Sequence, residues 1–156
     1  MIDNQETDIE LLELYLLDGG MSINEMVRHY ARFLLELIQK GRLKNISDEK
    51  LQGMTSYLTQ ALALKTLESN EGLRKASFAQ LWPIEKEYRE SDPAFSAFVR
   101  CVICCFGNED DWEQDDSGEE TPLWFFLFYI KKVYPDVGPE FFEYFRRAGN
   151  SAAGGD

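Results

Sequence analysis

Few residues in this chain have the types and spacing to do chemistry. They are one histidine, one cysteine cluster and one acidic run. The acidic run, Asn108 to Glu120, reads NEDDWEQDDSGEE: eight carboxylates, no lysine or arginine, and one tryptophan. Carboxylates at such density suit a hard cation or a basic macromolecule. The calcium loop of an EF-hand is the sharpest test. With Gly118 at the obligatory sixth position, the first three ligands would be Glu113, Asp115 and Ser117. The twelfth position would then be Trp124 instead of a bidentate glutamate, so the pattern fails.

The cysteines, Cys101, Cys104 and Cys105, fall at i, i+3 and i+4 of an apolar segment. Three thiolates on one helical face supply part of a zinc or iron–sulfur site, but a closed site needs a fourth soft ligand. His29 is the only histidine and there is no second cysteine pair. The expectation is packed, reduced cysteines and no metal or other cofactor. An odd count so closely spaced is also no disulfide framework.

His29 lies near Glu25, Arg28 and Arg32, on the side of its helix away from the apolar stripe. A histidine beside a glutamate can act as a general base, but no nucleophile or orienting third group stands near it in sequence. The expectation is a surface histidine. The chain shows no phosphate-binding glycine loop, no nucleophile elbow and no Glu-x-x-His pair for a di-iron bundle. Catalytic residues are therefore expected to be none, and an enzyme is the minority reading.

The elements that must carry these residues read as helices. Thr7-Asp8-Ile9-Glu10 and Ser22-Ile23-Asn24-Glu25 are capping boxes, with glycine stops at Gly19-Gly20 and Gly41. Behind the second box, Ile23, Met26, Val27, Tyr30, Phe33, Leu34, Leu37 and Ile38 repeat at helical spacing. Ser47 caps a third helix with Leu51, Met54, Leu58, Ala61 and Leu62 on one face. A fourth runs from about Glu71 to Arg89, where Pro83 should kink or divide it. The charges at Glu85-Lys86-Glu87 and Arg89-Glu90 read as an ordinary mixed-charge face.

Asp92-Pro93 and Thr121-Pro122 each place a capping residue before a proline at the first helical position. The segment Leu123 to Tyr134 is apolar on all sides over its first eight residues. It reads as a buried helix or a strand, and its start signal and length favour helix. Pro139 opens a last short helix, and residues 150–156 read as a frayed tail. The fold class expected is all-α: residues 1–149 as a single compact domain of about six or seven helices, with one acidic surface loop.

Composition narrows function by exclusion. The chain has 156 residues, 28 acids against 16 bases and a net charge of −12, of which the acidic run supplies two-thirds. Nucleic acid is excluded as a direct ligand, because neutralising phosphates needs clustered lysine and arginine. Anionic membrane surfaces are disfavoured for the same reason. The N-terminal residues are acidic and lack an apolar signal region, which points to a soluble cytoplasmic protein.

What remains is a binding protein. The expected partner-binding residues are Glu109, Asp110, Asp111, Trp112, Glu113, Asp115, Asp116, Glu119 and Glu120, facing a basic protein partner with Trp112 as the apolar anchor. Small, acidic, single-domain and non-catalytic is the character of immunity and antitoxin-type inhibitors, which cover the basic cleft of a bacterial toxin such as a nuclease. This is an analogy of type and not a family match. The alternative is a helical adaptor, chaperone or regulatory subunit that binds through an apolar groove, with the acidic run serving only solubility. Sequence leaves the oligomeric state open.

Overall fold

The structure is a computed structural model that describes residues 11–12, 14–16, 18–21, 23–63, 71–106 and 122–154. It is all-helical, with no strand among the described residues. The described residues of 11–18 are helical. There follow α1 (Ile23–Gln39), α2 (Asp48–Ala63), α3 (Glu71–Glu87), α4 (Pro93–Cys104), α5 (Pro122–Val133), a 3-10 turn (Pro135–Val137) and α6 (Gly138–Gly154).

The punctuation read from sequence operates as expected where it is described. Gly20 and Gly41 take positive φ, +96° and +70°, and reverse the chain after the first two helices. The Ser47 hydroxyl accepts from the Lys50 amide, and the Asp92 carboxylate accepts from the Phe95 amide ahead of Pro93. The segment that read as helix or strand is α5. A strand would have needed a sheet to pair with, and a helix satisfies its own backbone while burying Leu123, Phe126, Leu127, Ile130 and Val133.

Two elements differ from expectation. Of the kink or division expected at Pro83, division does not occur, and α3 continues through it. Pro83 and Ala79 both lie on the exposed side, where the carbonyl that loses its donor has water within reach. The last helix is longer than the short one expected and runs to Gly154.

α4 forms the centre, flanked by α3 and α5, while α1 packs on α2 and contacts α4 and α6. The core is aromatic. Tyr30, Phe33, Phe98, Phe106, Phe126, Phe141 and Phe145 are fully buried. Tyr30 stacks on Phe126 with ring centroids 4.3 Å apart, and Phe33 meets Phe141 edge to face at 5.8 Å. Each buried phenylalanine contributes roughly 1.5–3 kcal/mol of burial, and its geometry adds to that. α1, α5 and α6 are thereby locked together.

Candidate functional site

The nine residues expected to bind a partner, Glu109 to Glu120, lie outside the described residues, within 107–121. Their two roots are described. Cys101 Sγ sits 4.0 Å from the Phe126 carbonyl, and the Arg100 guanidinium lies over the Tyr129 ring. α4 and α5 therefore run antiparallel, and the chain leaves and re-enters at one end of the pair. Phe106 and Leu123, at the two roots, are both fully buried. The Phe106 carbonyl also accepts a bond of 3.3 Å from Arg74 Nη1 on α3, a buried guanidinium over the Phe78 ring. Buried residues, Phe106 and Leu123, thus flank the acidic run in the chain.

His29 departs from expectation. It is half-buried, hydrogen-bonded through Nδ1 to the Tyr144 hydroxyl at 3.0 Å, and its ring meets Tyr144 and Phe145 edge to face. The apolar stripe of α1 alone suggested a solvent face there, but α6 lies across it. Burial, then the charge of Arg32, lowers the His29 pKa, against an opposing pull from Glu25. The Tyr144 hydroxyl is pushed up to about 12, mainly by burial. The pair ties α1 to α6.

Cys101 and Cys105 are buried and Cys104 is half-buried, all three as free thiols. Burial raises all three thiol pKa values, that of Cys104 to about 12. The Cys105 thiol points back to the Cys101 carbonyl at 3.4 Å. These side chains fill the seam of α4. Among the described residues, no group of three or more histidine, cysteine, aspartate or glutamate residues could hold a metal ion.

Sequence reasoning missed a buried electrostatic feature. Glu85, taken for part of a solvated face, is buried. Its carboxylate accepts from Arg89 at 2.7 Å and from Arg100 at 3.3 Å, and its backbone carbonyl accepts from the Ser96 hydroxyl at 2.8 Å. Arg100 is in turn held between the rings of Trp82 and Tyr129, 4.7 and 4.8 Å from their centroids. Burial works to raise the Glu85 pKa, but the bonds and charges of Arg89 and Arg100 outweigh it and hold the carboxyl below its ordinary range. One signal was present in sequence: Trp82, Glu85 and Arg89 share a helical face, and Arg100 is the single charge inside an apolar α4.

An open cleft of about 690 Å³ lies between the end of α1 and the start of α2. Ile38, Leu43, Ile46 and Leu51 form its apolar part, with Lys44 and Asp48 among its polar lining. Among the described residues, no helix is long and apolar enough to cross a membrane. Comparison with protein-family models, with curated proteins and with solved structures finds no match for this chain.

Proposed function

We propose that this protein is a non-catalytic binder that uses Asn108–Glu120 to cover a basic surface on a protein partner. An immunity or antitoxin-type inhibitor of a bacterial toxin, for example a nuclease, is the form of that activity that fits best. The observation that carries the reading is the rooting of the acidic run. Eight carboxylates and a tryptophan join two buried residues, Phe106 and Leu123, at one end of the α4–α5 pair. A segment serving solubility alone needs no tryptophan among its carboxylates.

Carboxylates act mainly on the encounter rate, and exposed pairs add little durable affinity. A tryptophan anchor acts on dissociation, where truncation commonly costs about 2 kcal/mol, roughly 30-fold. The test is capture of partners from the source cell, followed by binding kinetics across a salt series. Changing Asp110, Asp111, Asp115 and Asp116 to Asn should slow association and flatten its salt dependence. Trp112→Ala should speed dissociation. Unchanged kinetics in both variants would refute the reading.

The second reading, an adaptor binding through an apolar groove, draws support from the α1–α2 cleft. In that case Leu43→Glu or Ile46→Glu would abolish capture, and the acidic-run variants would not.

A further inference from the structure

In a chain with net charge −12, one face gathers cations and aromatic rings into a continuous strip. On α3 and α4, Arg89 and Arg100 share the single carboxylate of Glu85. Arg100 lies against Trp82 and Tyr129. Tyr129 meets Phe128 edge to face at 5.1 Å, and the Lys132 ammonium stands 4.6 Å from the centre of the Phe128 ring. Three cations against one carboxylate leave the strip with two net positive charges. Arg89, Phe128 and Lys132 are exposed, and Trp82, Arg100 and Tyr129 are half-buried. An exposed phenylalanine beside stacked cations is a composition found at protein interfaces.

We infer that this α3–α4–α5 strip is a docking surface for the acidic segment, Asn108–Glu120, of a second copy of this chain. Charge complementarity selects the occupant. The segment presents eight carboxylates and one tryptophan, matching cations and rings respectively. The overall negative charge of each copy does not forbid the contact at physiological salt, where charges more than about 8 Å apart are largely screened. The strip and the segment share no residues, so the contact between copies is head-to-tail, and each copy can be both donor and acceptor. Self-association would occupy the acidic segment until a more basic partner competes for it. The inference does not depend on the inhibitor reading, because it needs no other protein.

Sedimentation equilibrium of the full chain in about 0.15 M salt tests it, with self-association expected at a dissociation constant on the order of 100 μM. Lys132→Glu and Phe128→Ser, both on exposed side chains, should each weaken it about tenfold with helical circular dichroism unchanged. The four-residue change of Asp110, Asp111, Asp115 and Asp116 to Asn should do the same from the other side. A synthetic peptide of sequence NEDDWEQDDSGEE should compete, and salt of about 1 M should abolish the association. A purely monomeric chain at several times that concentration would overturn the inference. So would association that survives saturating peptide, high salt or both sets of substitutions.

Discussion

Gly149 on α6 and Leu16 on the first helical segment approach so closely that a β-carbon at Gly149 would stand 2.7 Å from Leu16 Cδ2. The same β-carbon would stand 2.7 Å from Tyr15 Cε2. Leu16 is fully buried and has no room to retreat. The absence of a side chain at Gly149 is what lets the N-terminal segment seat on α6.

Gly149→Ala should therefore destabilise the fold by about 1–2 kcal/mol, since overpacking outweighs the gain in helix propensity. Gly53 is the control. It lies inside α2 with nothing within 4 Å of its would-be β-carbon. Gly53→Ala should stabilise by about 0.5–1 kcal/mol. Urea unfolding of the two variants checks the opposite signs.

Glu85 should be the most consequential charged residue of the described fold. Glu85→Ala leaves Arg89 and Arg100 without their shared carboxylate and should cost about 2–3 kcal/mol, discounted because both arginines reach solvent. The pH dependence follows from the lowered carboxyl pKa. Glu85 contributes its stability in full above the ordinary value of 4.5 and loses it as pH falls through the folded value. Glu85→Gln should flatten the acid limb of the stability profile below about pH 4.5.

His29 should act at a different pH and with a plain sign. Its folded pKa is below the ordinary 6.5, so the unfolded chain takes up the proton first. Stability should fall as pH drops through 6.5 toward the folded value, then level off with respect to this group. Denaturation midpoints of wild type and His29→Gln at pH 7.5 and 5.5 measure it. The loss on acidification should be smaller in the variant.

Thiol chemistry tests the packing of α4. With all three thiol pKa values raised by burial, native protein should react slowly with a thiol reagent, and all three cysteines should react after unfolding. Rapid reaction at Cys101 or Cys105 in the native state would show that α4 is not the packed centre.

The sequence by itself determined the helices, because the signals that start and stop them are local. A hydroxyl at Ser47, a carboxylate at Asp92 and positive-φ glycines at 20 and 41 act on backbone groups within a few residues. The 3.6-residue stripe of α1 likewise announced which residues become core, from Met26 to Leu37. The exposure of His29, the burial of Glu85 and the continuity of α3 through Pro83 were not legible, since each depends on what crosses a face or leaves it open. His29 is covered only because α6 returns over α1, 115 residues later in the chain. Glu85 is buried only because Arg100 arrives from α4 with Trp82 and Tyr129 on its two faces. A helix period states which side is apolar; only tertiary packing decides whether a polar side meets water or a partner, because that choice balances desolvation against bonds supplied from elsewhere in the chain.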